Sequence, residues 1–343
     1  MAADISPGAA FGANPAADVS LPFLVNGGAF RGRLVRLTEA TTEILGRYND
    51  PEPVSVLLAE ALVAAVALAG GLKYAGVFSL QVQGKGPVHM LVTDVTSGGS
   101  LRGCAKYDAE AVAAEMARVR PGGFVPHLIG PGGHLAFTVD QGPDTERYQG
   151  IVELSGESLA ESVHHYFRQS EQIESALKLA VAPPTAPGGP WTAAALLLQR
   201  MPEEGGIRIA VREDLDDAWR TAVILMGSVK NSELLDLSLA PERLLTRLFI
   251  TVGVVPAARR PIQAKCRCSR ERSEGIIASF PVEEVRSYAE DGRINMTCEF
   301  CRAAYEFAVD DLEAIAERHR ARLEVEGLVA ESLKVDTEKG ETP

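Results

Sequence analysis

Residues 265–307 read KCRCSRERSEGIIASFPVEEVRSYAEDGRINMTCEFCRAAYEF, and they hold four of the five cysteines in a chain of 343 residues. Cys266 and Cys268 form a C-x-C pair, Cys298 and Cys301 a C-x-x-C pair. A scattered structural cysteine behaves as a small buried hydrophobe. Two close pairs in one short segment of a reducing-compartment protein point to a metal before they point to disulfides. Residues i and i+2 of an extended segment face the same side, so Cys266 and Cys268 can aim both sulfurs at one ion. Cys298 and Cys301, in a tight knuckle, can complete a tetrahedron with Zn–S distances near ~2.3 Å. Four thiolates with no open position make a structural site, one Zn2+ per chain, and not a catalytic one. Four unligated core thiols are the blander alternative. The lone Cys104, in LRGCAKYD, reads as a buried or incidental thiol.

A zinc tetrathiolate is also a redox object. Its geometry holds the sulfurs roughly 3.8 Å apart, whereas a disulfide needs about 2.05 Å. The same four sulfurs cannot hold the metal and be two disulfides. Structural zinc contributes on the order of 10 kcal/mol to the folding of a small module, so oxidation that expels it should unfold residues 258–308.

Working outward, the chain is 46% hydrophobic and 23% charged, ordinary for a soluble globular protein, and is long enough for two or more domains. A net charge of -12 disfavours a broad nucleic-acid or anionic-membrane surface. The opening MAADISPGAAFGANPAADVS lacks a basic segment followed by an apolar one, so no secretory signal is read and the cytoplasm is expected. The apolar run from Val54 carries Glu60 and closes at Gly70, Gly71 and Lys73, which predicts a buried core helix and no membrane span.

Residues 1–18, rich in Ala, Gly and Pro, read as a flexible leader. FRGRLVRLT predicts a strand running into a helix capped by Thr38, and VFSLQVQG and VHMLVTDV predict a hairpin joined across Gly84 to Pro87. HLAFTVD and RYQGIVELSG repeat the strand pattern, and Ser158 with Glu161 is a capping box. WTAAALLLQRM reads as a short buried strand. This mixture predicts an α+β core domain over 19–206. Residues 207–257 read as a helical linker in which Leu215, Trp219, Val223 and Met226 share one face, with a second helix near Pro241. The four-cysteine zinc module follows over 258–308, and 309–343 reads as a charged helix with a frayed tail.

The order C-x-C, SRER, a 29-residue gap and C-x-x-C followed by YEF closely resembles the redox-regulated 33 kDa chaperonin (heat shock protein 33) family. GRLVRLTEATTEILGRYNDPEPV, LQVQGKGPVHMLV, LRGCAKYD and ERYQGIVELSGESLAESVHHYFRQSEQI extend the resemblance over about 21–310. The resemblance implies a cytoplasmic, ATP-independent holdase, not an enzyme, that is inactive when reduced and zinc-bound. Peroxide or hypochlorous acid, aided by unfolding stress, would form the disulfides Cys266–Cys268 and Cys298–Cys301, beginning at the C-x-x-C pair. Zinc would leave, the linker would unfold, and exposed apolar surface would bind unfolding client proteins, usually as a homodimer. The face of Leu215, Trp219, Val223 and Met226 is then either client-binding surface or ordinary helix core. Lys265, Arg267, Arg270 and Arg272 either favour thiolates or simply balance the charge of the centre. The extended leader and tail depart from the family pattern.

Two rivals stand beside this reading. Between 259 and 272 six basic residues face one acid, as in a nucleic-acid module, against which stand the overall acidity and the scarcity of aromatics. A catalytic C-x-x-C oxidoreductase would need a free pair in a thioredoxin-like setting, and the C-x-C partner argues against it.

Overall fold

The computed structural model describes residues 18–72, 74–118, 125–142, 145, 147–154, 156–168, 173–201 and 209–339, the side chains of 209–213 and 326–339 excepted. The expected leader before Asp18 and the expected core-to-linker boundary at 206/207 lie outside the described residues. The chain divides into two compact units, residues 1–265 and 266–343.

In chain order the first unit holds β1 (Val19–Val25), β2 (Phe30–Leu37), α1 (Glu39–Gly46), α2 (Glu52–Ala69), β3 (Val77–Gln83), β4 (Val88–Thr96) and β5 (Ser100–Tyr107). Next come α3 (Ala109–Met116), β6 (His134–Asp140), β7 (Tyr148–Glu153), α4 (Leu159–Tyr166), β8 (Ser175–Ala182) and β9 (Thr192–Arg200). It ends with α5 (Ile209–Gly227), α6 (Asn231–Leu234), α7 (Pro241–Phe249), β10 (Val254–Pro256), β11 (Arg260–Pro261) and β12 (Gln263–Ala264). One sheet runs β10-β1-β2-β9-β8, with β11 also on β1, and the other β12-β5-β4-β3-β6-β7. The architecture is α+β, as the pattern predicts.

Helix α2 supplies the centre. It is the one described helix long and apolar enough to cross a membrane, and it is buried inside the protein instead. Apolar on every side, it packs against strands of both sheets, where Leu57, Leu58, Leu62 and Val63 are fully buried. Phe78, Leu80 and Val82 of β3 point inward in strict alternation, and β3 and β4 pair in register from Val77↔Thr96 to Gln83↔Met90, the predicted hairpin.

Strand β9 explains why AAALLL lacks alternation. Ala193, Ala195 and Leu197 join the core around α2, while Ala194, Leu196 and Leu198 join a second core beneath α5 and α7. With both faces covered, both sets of residues are apolar. Residues of the expected helical linker lie as a layer on this sheet: Trp219, Met226, Leu244, Leu245 and Phe249 are buried there.

Long-range polar contacts fasten these layers. The Asp18 carboxylate accepts the N–H groups of Thr38, Glu39 and Ala40 and so caps α1 from twenty residues upstream, where the Thr38 side chain makes no capping bond. Asp18 is thus anchored, although the sequence places it in the leader. Ser158 caps α4 as expected, but the Glu161 carboxylate reaches back to the N–H of Glu157. Arg31 and Arg33, on the face of β2 toward α2, donate to the carbonyls of Gly71 and Gly70 at the C-terminal end of that helix. Arg36, fully buried on the opposite face, donates to the carbonyls of Glu233 and Leu234 beside α6. Burial draws the Arg36 guanidinium down to about 10.

The second unit holds α8 (Arg270–Ala278), α9 (Val282–Arg286), β13 (Arg293–Thr297), β14 (Ala304–Ala308) and α10 (Leu312–Lys339). Its core is small: Ile277, Val285, Ile294, Phe307, Leu312 and Ile315. The module expected from 258 starts at Cys266, because β11 and β12 pair with β1 and β5 of the first unit. Helix α10 runs to Lys339, further than the tail expected to fray.

Candidate metal centre

Both cysteine pairs sit where the backbone is held by its own hydrogen bonds. Cys266 and Cys268 lie in the segment before α8, whose first turn is capped by Ser269 Oγ accepting the N–H of Arg272 at 3.2 Å. Cys298 and Cys301 lie in the turn of the β13–β14 hairpin, paired up to Thr297↔Ala304. There the N–H of Cys298 donates to Ala303 O at 2.9 Å and that of Arg302 to Cys298 O at 2.8 Å. Arg302 takes a left-handed φ of 59°, which closes the knuckle.

These two turns bring all four sulfurs within 4.8 Å of one another, the one such group of potential ligands among the described residues. Cys266 Sγ lies 3.7 Å from Cys298 Sγ, and Cys268 Sγ lies 3.3 Å from Cys301 Sγ. The spacing spans the roughly 3.8 Å sulfur separation of a tetrahedral thiolate site. All four are half-buried. Burial pushes the Cys301 thiol up to about 12, with the N–H of Ala303 pulling the other way and the neighbouring sulfurs adding to the rise. Burial also raises Cys298, against the N–H groups of Cys301 and Phe300 directed at its sulfur. Four thiolates this close repel one another, so the arrangement calls for a cation at its centre. The donor set, four soft sulfurs with amide donors around them, fits a closed metal site.

Tyr305, on β14, donates its hydroxyl to Cys268 Sγ at 3.2 Å. Sequence reading passed over it as one letter of the YEF run, since hydrogen bonding to a sulfur 37 positions away leaves no local pattern. That bond is the first cause holding the Tyr305 phenol up at about 12.

The expected basic surroundings resolve differently. Arg270 donates to Glu306 O and lies over the Phe307 ring, and Arg272 donates to Arg267 O. Arg259 is bound to Glu242 and Lys265 belongs to the first unit, its N–H on Leu101 O. Arg259, Arg270 and Arg272 thus have protein partners of their own. Cys104 is buried on β5, apart from the cluster.

Of the shared helical face, Trp219 and Met226 are buried beneath α5, Val223 packs against the same core, and Leu215 is half-buried.

The sequence profile described as Hsp33 protein matches residues 18–308. The 33 kDa chaperonin of Caulobacter vibrioides is 40% identical over 291 residues, covering 84% of this chain and 94% of the relative. One from Pseudomonas fluorescens is 35% identical over 300 residues, covering 87% and 93%. The crystal structure of the 33 kDa chaperonin (heat shock protein 33 homolog) from Thermotoga maritima matches with a TM-score of 0.68 at 21% identity, over 88% of this chain and 98% of that one, a likeness of fold. On the extent and identity of these matches, the chain belongs to the Hsp33 protein family of chaperones.

Proposed function

We propose that this chain is a redox-regulated, ATP-independent holdase of the cytoplasm, acting on unfolding proteins and performing no catalysis. The observation that carries the reading is the set of four sulfurs within 4.8 Å, able to be ligands or disulfide partners but not both. Cys266, Cys268, Cys298 and Cys301 would hold one Zn2+, which keeps all four as thiolates and cross-links the two turns. The six buried apolar side chains among its described residues are a thin core for such a unit, so the cross-link would carry much of its stability.

Oxidation removes the ligands. As thiolates, Cys298 and Cys301 give up two electrons to form one disulfide, while hydrogen peroxide takes those electrons and two protons from solvent to become two waters, and Cys266 and Cys268 do the same with a second peroxide. The sulfurs then stand about 2.05 Å apart within each pair and no longer enclose a metal. The second unit loosens, and α5 to α7 are released from their sheet. That release presents Leu215, Trp219, Val223 and Met226, largely covered in this reduced state, to clients. A homodimer of the oxidised form belongs to the same reading.

The test measures zinc released, thiols remaining, helicity and suppression of client aggregation together, before and after peroxide at raised temperature. The expected result is one zinc lost and four thiols consumed per chain as holdase activity appears, reversed by reductant. Zinc that leaves with no gain in client binding would reduce the centre to a structural clip.

A further inference from the structure

The C-terminal end of α2 borders a cavity of about 290 Å³ that has no part in the cysteine chemistry. Its wall includes Ser20, Arg33, the Thr96 to Gly99 turn between β4 and β5, and Arg260 of β11. Among the described residues no acidic side chain lines it, in a chain whose net charge is -12.

Arg33 is the unusual element. It is 7% exposed, and it donates to neutral groups: Ser20 Oγ at 3.0 Å and the carbonyl of Gly70. Burial, then the like charges of Arg260 and Arg31, draw its guanidinium down to about 10, with no carboxylate acting against them. The carbonyls ending α2 offer partial negative charge, less than one elementary unit. A buried guanidinium normally has a full counter-charge, because desolvation without one is costly. Here two guanidiniums border one small cavity whose remaining wall includes the apolar Val66, Leu72, Val95 and Ile262.

We propose that this cavity is a binding site for a phosphate-bearing anion, held between Arg33 and Arg260 with the hydroxyls of Thr96 and Ser97 as further donors. A carboxylate would balance one of the two cations, whereas a phosphate dianion balances both and has acceptors enough for guanidinium and hydroxyl donors together. The Thr96 hydroxyl oxygen accepts the N–H of Ser100 at 3.0 Å, which leaves its proton to donate. Gly99 serves the site by its bareness: φ is +86°, and a Cβ there would lie 2.4 Å from Pro261 O. The turn and β11 can therefore close on the cavity from two sides.

Occupancy has a local consequence. β11 is a two-residue strand, paired with β1 through Ser20↔Arg260 and Val19↔Pro261. An anion bridging Arg260 to Arg33 adds a tie across that pairing and steadies the segment that leads to Cys266.

The test titrates orthophosphate and pyrophosphate into the full reduced chain by calorimetry, with acetate at matched ionic strength as control and hydrogen exchange at the Ile262 amide, which donates to Asp18 O. Expected are one site per chain, slower exchange at Ile262 on binding, and affinity roughly tenfold or more weaker in both Arg260→Gln and Arg33→Lys. Arg260 is exposed, so Arg260→Gln keeps the fold even if Arg33→Lys does not. Absence of binding, equal affinity in Arg260→Gln, or an equal response to acetate would each overturn the site. None of these readouts involves cysteine oxidation.

Discussion

The first unit buries helix α2 between two sheets and a second core under α5 and α7, whereas the second unit, among its described residues, gathers six buried apolar side chains around a β-hairpin and the helices α8 to α10. Burial supplies the stability of the first in many small, distributed increments. In the proposed zinc-bound form of the second it is concentrated at four sulfurs drawn within 4.8 Å. A distributed core resists any single chemical event. A structure hung on one cross-link can be undone by chemistry at that point, which is what a switch requires.

The largest effect should come from removing the metal. Chelation of the reduced protein is expected to cost the second unit on the order of 10 kcal/mol, seen as rapid proteolysis within 266–343 and in α5 to α7 while the two sheets around α2 stay intact. A chelated second unit that resists protease would break the contrast.

Leu58→Ala strikes the other side. Leu58 is fully buried on α2, so its truncation should cost about 4 kcal/mol in the first unit. Metal affinity, read by competition with a chromophoric chelator, should not move; a changed affinity would mean that the units share stability.

Trp219→Ala probes the layer between these extremes. Trp219 is 8% exposed and meets the Phe30 ring edge-on at 5.3 Å, so its loss should weaken the docking of α5 by about 3 kcal/mol. The variant is expected to suppress client aggregation partly without oxidant. Full dependence on peroxide in that variant would remove α5 from the switch.

The smallest effect is a pH dependence confined to the first unit. Glu60, partly buried on α2, has its carboxyl pushed by burial from 4.5 up to about 7. The folded state therefore holds a proton that the unfolded chain releases, and stability should fall as pH rises from about 4.5 through about 7. Glu60→Gln should match the parent at pH 4 and exceed it at pH 8 by roughly 1–2 kcal/mol, allowing for partial exposure. Parallel melting curves across that range would show that the carboxyl stays ionised in the fold.

Much of this was legible in short windows. The alternation of Phe78, Leu80 and Val82 and the apolar run of α2 each express a local period, and each became the element it predicted, while the cysteine spacing let two turns bring four sulfurs within 4.8 Å. Thr38 shows where such reading fails. A hydroxyl just before a helix is the ordinary cap, yet the acceptor came from Asp18, beyond any capping pattern. Likewise the apolar stripe of α5 could not say what covered it, because a face looks the same in sequence whether docked or free.

By itself, the sequence determined elements with a clear local pattern, such as α2, α4 and the β3–β4 hairpin, and that four sulfurs could share one metal, because periodicity and close spacing act over a few residues. Tertiary structure alone decided that β9 is covered on both faces, that Arg33 and Arg36 find carbonyls on opposite sides of one strand, and that the chain divides after Lys265. Those outcomes depend on contacts between residues scores of positions apart, where local propensity carries no information and packing makes the choice.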